Sequence, residues 1–439
     1  MLRPTPSAVT ASSYSEIFYP GGIPNISFIS EWGLHLQPSL EAIGVKARIG
    51  WGDEECEKNY LAHPANDLFL EARAHPFFDQ WWRSRSLGQY ISQVNVPTFI
   101  SGTWQDHQTM ASGATELYEL LKGPKRLTMS PRGHVSAYFE AGFQQDLIRW
   151  MDRWVKGVRN GIEAQPPVTI YWEPKGQWPI ASWTTHYRSW PAERTEPRTF
   201  WLTSAATLST TTPSDSPADT KGLSYTFPVG VELVGSNTQF SVPPDPNGSL
   251  TWTGAPFVED STILGSIEVS FYAASQNTDT DFEVALHDIY PNGDVEYLQR
   301  GFLRASLRAV DRSGSMPDQL VHSYDKPEQL VPGRIYEFRL SLPPLGAVLR
   351  KGHQLQVVIL APSPIPQPDW GLLPVNLPGE NTVYASAKYP SKIIVPLITG
   401  AKAEAPEPAC GSIPFQWCRR PGLPVFFDQF ILRNWPWRD

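Results

Sequence analysis

The sequence predicts an α/β layer with parallel strands, followed by an antiparallel β-sandwich. Three observations carry this. Between residues 96 and 156, strand-like runs alternate with helical spacing in the order VPTFISG, a helical stretch over 110–122, RLTMSP, and FEAGFQQDLIRWMDRWVK. Such alternation sets parallel strands side by side with helices on the sheet faces. Near residue 160 the apolar period changes to two, and short alternating runs separated by Pro, Gly and Asn follow to about 398. Finally, 439 residues exceed one ordinary core, so at least two domains are expected.

Residues 1–50 read as mostly irregular, with PGG at 20–22. Residues 52–93 are rich in helix formers, with breaks at Pro64 and Pro76, and predict two or three short helices. The first strand, VPTFISG, leads into a helix whose Leu117, Leu120 and Leu121 share one side, and Gly123-Pro124 ends it. RLTMSP is the second strand. The next helix carries Phe143, Leu147, Ile148, Trp150, Met151, Trp154 and Val155 on a broad apolar face. VTIYWEP and RTFWL then open the β-rich region. In DTDFEVALHDI the inward set is Phe282, Val284 and Leu286, and in RIYEFRLSL it is Tyr336, Phe338, Leu340 and Leu342. Residues 203–221 form a polar Ser/Thr loop. The expected division is 1–160, 161–398, and a tail over 399–439 that packs back on a domain.

Composition excludes several classes. A net charge of −8 without a Lys/Arg run argues against nucleic-acid binding. Apolar runs such as LQVVILA are too short to cross a bilayer, and MLRPTPSAVTASSY has no apolar leader core. A cytoplasmic location is therefore expected. Three cysteines cannot make a disulfide framework; Cys410 and Cys418 could pair, but a reduced pair is expected. The sequons at Asn25 and Asn247 carry little weight without an export signal.

Loops that follow parallel strands are where α/β proteins place functional side chains. Asp106 follows the first strand, in SGTWQDHQT, and His134 follows the second, in SPRGHVSAY. One helix and one strand separate them, so both loops should share one sheet edge. A carboxylate there can fix the tautomer of a histidine that acts as a general base toward a hydroxyl. The bland alternatives are a helix N-cap for Asp106 and a surface or capping histidine for His134. His107 competes for the imidazole role, but adjacent side chains diverge. A metal site from Asp106, His107 and His134 lacks a comparable ligand pair, and neither metal nor cofactor is expected. NTDTD at 277–281 reads as a turn entering a strand rather than a calcium loop, since it lacks the Gly and Glu that complete one. No G-x-S-x-G occurs, and RSGSMPD at 312–318 lies between strands with no helix after it.

Together YPGG (19–22), VPTFISGTWQDH (96–107), SPRGHVSAY (130–138), VTIYWEPKGQW (168–178), DTDFEVALHDIYPNGD (279–294) and RGFLRASLR (300–308) resemble the CocE/NonD hydrolases. That family includes cocaine esterase, α-amino acid ester hydrolases, cephalosporin acylases and Xaa-Pro dipeptidyl-peptidases. The resemblance runs from about residue 15 to about 398. It implies the C-terminal part of an α/β-hydrolase domain with a helical cap over about 52–93, followed by a jelly-roll β-sandwich. It also implies that Asp106 is the triad acid and His134 the triad base, while SPRGH departs from the family's usual approach to the histidine. The nucleophilic serine and the oxyanion-hole tyrosine of the family would precede Met1, together with most of the central sheet. VPTFISG should then lack its inner neighbour and expose a row of unpaired backbone groups, and the helix at 139–156 should lose much of its seat.

The resulting expectation is a serine hydrolase portion acting on a small acyl ester or Xaa-Pro peptide, with its serine outside these residues and no activity alone. The alternatives are a catalytically inactive relative whose jelly roll is an interaction module, and a sugar-binding sandwich. No nucleic acid or membrane partner is expected, and the substrate and the oligomeric state are not readable.

Overall fold

The apolar runs form strands where their patterning places them. In this computed structural model the described residues are 6, 9–26, 37–62, 68–106, 112–131, 133, 136–174, 180–214, 221–229, 233–234, 241–242, 246–316, 319–362, 372–398, 400–413, 416 and 418–420. Strands β1 (Thr98–Thr103) and β2 (Lys125–Ser130) pair in parallel, from Thr98 opposite Lys125 to Thr103 opposite Ser130. Strand β3 (Val168–Pro174) joins β2 in parallel, and β4 (Ala181–Tyr187) closes this sheet antiparallel to β3. The first sheet therefore runs past the boundary expected at 160. VTIYWEP reads as a sandwich strand because it alternates. Val168, Ile170 and Trp172 face the large common core while Tyr171 faces a helix, so both of its faces are apolar.

Short helices precede the long helix of this region. Helix α1 (Gln37–Glu41) runs through a π-helical turn, Ala42–Lys46, into α2 (Ala47–Gly50). The region expected to be irregular is thus helical from residue 37. Pro38 lies in its first turn, and Gly52 at φ +86° follows its end. Asp53 then accepts the Cys56 N–H at 2.9 Å, starting α3 (Glu54–Ala62). Helices α4 (Leu68–Ala74) and α5 (Gln80–Arg83) follow in the region expected to be a cap, and Asp79 caps α5 by accepting from Trp81 and Trp82. Helix α6 (Ser112–Leu120) connects β1 to β2.

Helix α7 (Ala141–Trp154) buries a narrower stripe than its sequence suggests. Phe143, Leu147, Trp150 and Trp154 pack on Phe99, Ile162 and Tyr171, whereas Ile148 and Val155 are exposed. Its seat is present, since the rings of Phe143 and Trp150 meet Phe99 edge-on at 5.3 and 5.9 Å. Nor does β1 offer an open row of backbone groups. All six of its residues are buried, and the Ser101 N–H reaches the Pro6 carbonyl at 3.0 Å. The segment that covers it comes from this chain, with Ala11 in the core and its carbonyl accepting from Gly88 at 2.9 Å.

The sandwich contains two large sheets. One joins β10 (Ser249–Thr253), β15 (Gln354–Leu360), β12 (Asp281–Ile289), β13 (Val295–Arg304) and β18 (Cys418–Arg419) in that order. The other runs β6 (Leu208–Ser209), β5 (Thr195–Leu202), β17 (Lys392–Ile398), β11 (Ser261–Ser275), β16 (Gly379–Tyr384), β7 (Leu223–Phe227), with β14 (Tyr336–Leu349) also on β11. A small ribbon pairs β8 (Leu233–Val234) with β9 (Ser241–Val242). The inward residues of DTDFEVAL and RIYEFRLSL meet as the alternation requires: Phe271, Phe282 and Phe338 lie 4.9 to 5.5 Å apart between ring centres. NTDTD turns into β12. Asp279 accepts from the Ser306 N–H and hydroxyl at 2.8 and 2.6 Å, and fully buried Asp281 accepts from Arg304 Nε at 2.9 Å. These oxygens serve the fold's own donors, and one of those donors is a cation.

In the tail, Ala401, Ala403 and Ala405 pack against the core, and Cys410 and Cys418 form a disulfide instead of the expected reduced pair. The β18–β13 pairing brings the two cysteines together across an eight-residue separation, with Cα atoms 5.4 Å apart. Residues 421–439 lie outside the described residues, as do Pro64, His107 and His134.

Three contacts weld the layers together. Tyr19-Pro20-Gly21-Gly22 docks on the sandwich: at Gly21 (φ +61°) a Cβ would stand 2.3 Å from the Phe302 backbone. Tyr14 and Tyr19 reach the cap, donating to the carbonyls of Pro76 and Ala72 at 2.8 and 3.0 Å. Trp104, 1 % exposed, lies flat against β14, where a Cβ on Gly346 would come within 2.5 Å of its indole nitrogen. Its ring stacks on Trp190 at 6.1 Å, its main-chain N–H donates to the Ser130 carbonyl at 3.0 Å, and its main-chain carbonyl accepts from the Gln299 side chain of β13 at 3.1 Å.

Two outcomes follow from this packing. Trp104→Ala should cost about 3–5 kcal/mol in denaturant unfolding, and Gly346→Val should destabilise by colliding with the same ring; an unchanged midpoint for either would contradict this seat. Asp281→Asn should cost about 3–5 kcal/mol, because it strands the buried Arg304 guanidinium without its counter-ion. The check is the same unfolding measurement, with Arg304→Leu in the Asn background expected to recover part of the loss.

Candidate active site

Asp106 stands three residues beyond the end of β1, and Gly133 three residues beyond the end of β2. Because the strands are parallel and Thr103 is opposite Ser130, both loops leave the same sheet edge. Asp106 is half-buried, and Gly133 is buried. His134 and the competing His107 lie outside the described residues, so the geometry here is that of the acid and of the two strand ends.

The local sequence explains how the acid is held. In GTWQD, Gly102 is the point where α6 crosses β1: a Cβ there would lie 2.7 Å from that of Ala114 and 2.9 Å from Met129 Sδ. Trp104 is the anchor just described, and Asp106 follows it by two residues. The hydroxyls of Thr103 and Ser130 are buried at this edge, and neither has a hydrogen-bond partner among the described residues.

Helix α6, which follows the loop after Asp106, is fixed by a residue that sequence reasoning missed. Glu16 is buried, accepts the Ala11 N–H at 2.8 Å, and accepts from the Ser112 hydroxyl at 3.3 Å in the first turn of α6. Burial, and then the charge of Glu116, push its carboxyl well above the usual range, and burial raises Glu116 to about 7. Gly113 permits this approach, since a Cβ there would meet the Val9 carbonyl at 2.2 Å. The available signal was an acid inside the apolar run YSEIFYP, at the spacing of a single turn.

Other sequence candidates resolve into structure. In RSGSMPD, Ser313 donates to Asp311 Oδ1 at 2.6 Å and Ser315 to the Asp311 carbonyl at 2.7 Å, so these hydroxyls close a turn. Asp294 has a carboxylate oxygen within 4.8 Å of the sulfurs of Cys410 and Cys418, but those sulfurs are bonded to each other and offer no thiolate to a metal.

Comparison with known proteins places this arrangement. A family model described as the X-Pro dipeptidyl-peptidase C-terminal non-catalytic domain matches residues 160–394, and that of the X-Pro dipeptidyl-peptidase S15 family matches 5–136. A candidate serine esterase of Mycobacterium bovis is 27% identical over 270 residues, covering 58% of this chain and 41% of that protein. Cocaine esterase of Rhodococcus is 22% identical over 364 residues, covering 74% and 60%. The chain thus spans about half the length of these relatives. Among solved structures, a CocE/NonD family hydrolase from Staphylococcus aureus superposes with a TM-score of 0.71 at 18% identity, covering 91% of this chain and 67% of that one. An α-amino acid ester hydrolase gives 0.66 at 17%, covering 90% and 73%. These structural likenesses establish the shared fold, an α/β-hydrolase layer followed by a β-sandwich. With more than half of its residues matched by one family model, the chain belongs to the CocE/NonD family of serine hydrolases, the group of the X-Pro dipeptidyl-peptidases and related esterases.

Proposed function

We propose that residues 1–439 supply the acid and base of a Ser-His-Asp triad that transfers an acyl group from an ester or an Xaa-Pro peptide to water. Asp106 orients and charges-balances His134, and His134 takes the proton of a serine that lies outside these 439 residues. The observation that supports this most is the parallel register of β1 and β2, which sends both loops from one edge with Asp106 just past the first strand. Family membership supports the reaction class, while ester against peptide preference rests on pocket shape. The cap over about 52–93 would shape the acyl pocket. No cofactor or metal enters this reading, and its partner is the small substrate alone. A cytoplasmic site of action belongs to the same reading, with the Cys410–Cys418 disulfide as the observation set against it. Among the described residues no helix is long and apolar enough to cross a membrane.

The test begins with the DNA upstream of the start codon. An in-frame G-x-S-Y-x-G favours the triad reading, and its absence favours an inactive relative whose sandwich binds a partner. In the longer protein, His134→Ala should lower kcat by a factor on the order of 10⁴–10⁶ on p-nitrophenyl esters or Xaa-Pro-p-nitroanilides. His107→Ala should cost far less, and equal losses would reassign the imidazole. Full activity in Asp106→Ala would remove the triad. Residues 1–439 alone should show no turnover above buffer, and a fluorophosphonate label mapped within them would reveal an unrecognised nucleophile.

A further inference from the structure

The tail crosses the edge of the five-stranded sheet over a buried group of acids. Glu407 Oε1 lies 2.8 Å from His353 Nε2, and Asp288 Oδ2 lies 2.8 Å from His353 Nδ1. His353 is 1 % exposed. The Gly411 N–H donates to Glu296 Oε1 at 2.7 Å, and Tyr290 donates to Glu296 Oε2 at 3.1 Å with its ring 4.4 Å from that of His353. Beyond them, Arg350 pairs with Glu173 of β3 and lies 3.7 Å from Asp260. Cys418 sits opposite Glu296, and its disulfide to Cys410 closes the loop that carries Gly411.

A neutral imidazole has one N–H, so it cannot donate to carboxylates on both sides. The trio Asp288–His353–Glu407 therefore holds one proton more than neutral histidine between two carboxylates. Without it, buried Asp288, Glu296 and Glu173, with the more exposed Glu407 and Asp260 beside them, would face one guanidinium, Arg350.

We propose that the described tail, residues 400–413 with Cys418 and Arg419, is a proton-latched strap, closed while the His353 trio keeps its extra proton and Glu296 stays neutral, and released from the sheet when both protons leave. This rests on the sandwich and tail alone and is independent of the catalytic reading. The strap shares β13 with the catalytic edge, because Gln299 on that strand holds the Trp104 carbonyl.

The direction of the switch follows from which state binds protons more tightly. Burial pushes the His353 imidazole down, but the hydrogen bond and charge of Asp288 and the charge of Glu407 outweigh it, leaving the value raised. Burial raises Glu296 from 4.5 to about 8, against the Gly411 hydrogen bond and with help from Asp288. Both groups hold their protons longer with the strap closed than when exposed. The stability they lend is complete below their ordinary values and is lost as pH rises through the raised ones. For Glu296 the window is 4.5 to about 8, and for His353 it begins at 6.5. Rising pH opens the strap.

The experiment is hydrogen exchange on the full chain without reductant, with rates corrected for intrinsic pH dependence. Peptides within 400–413 should lose protection at least tenfold between about pH 6 and about pH 9, while β11 stays constant as the internal control. Glu296→Gln keeps a neutral acceptor for Gly411, so part of the alkaline loss should disappear. His353→Gln should lower strap protection at every pH and leave the component from Glu296. A flat wild-type profile overturns the proposal, as does a Glu296→Gln profile identical to wild type. The wild-type and Glu296→Gln series decide the matter even if His353→Gln fails to fold.

Discussion

The seat of Trp104 is the contact on which the arrangement depends. One side chain ends a strand of the α/β sheet, fills the bare backbone at Gly346 of the sandwich, and stacks on Trp190, while its main chain ties β1 to β2 and to β13. Asp106 comes two residues later. The direction in which that acid leaves the sheet is thus set by packing between layers, and the G-x-W-x-D pattern places two packing residues directly ahead of the candidate acid. Its glycine admits α6, its tryptophan locks the sandwich, and its aspartate stands at the edge they define.

Buried charge recurs at the other joints. Asp281 with Arg304 lies beneath the tyrosines that connect the N-terminal segment to the cap, and Glu173 with Arg350 bridges β3 to the sandwich. Burial, helped by Asp279 in the first case and by Glu407 and Asp260 in the second, raises Asp281 to about 6 and Glu173 to about 7, in each case against the pull of the partnering arginine. Such pairs add little net stability over an apolar contact, yet each strongly penalises any docking that leaves one member alone. They act as registration marks, rejecting layer arrangements that a purely hydrophobic seam would tolerate.

Much of this was legible in the sequence. The strand–helix–strand–helix spacing gave β1, α6, β2 and α7, and the alternating sets of DTDFEVALHDI and RIYEFRLSL do meet in the core. What escaped has physical reasons. VTIYWEP alternates, yet it lies between two apolar layers, and periodicity does not reveal which sheet a strand joins. Ile148 and Val155 extend the apolar stripe of α7 but have nothing to cover them. The cover over β1 comes from Pro6 and residues 9–12, which have no periodic pattern to read. The role of Glu16 depends on a contact with Ser112, 96 positions away. For the candidate site, Asp106 and its strand end were readable from position alone, because strand ends are where such folds expose chemistry.

The helical hairpin over 37–62 stands apart from these constraints. None of residues 39–62 is buried; Leu40, Ile43, Trp51 and Leu61 lie on its surface, and its ties include local ones such as Arg48 with Asp53. A core position answers to many neighbours and changes slowly. A hairpin that answers only to itself can drift, lengthen or exchange side chains with little effect on the sheets behind it. Such a segment is where natural variation can accumulate without disturbing the frame, and where directed evolution would find the widest room.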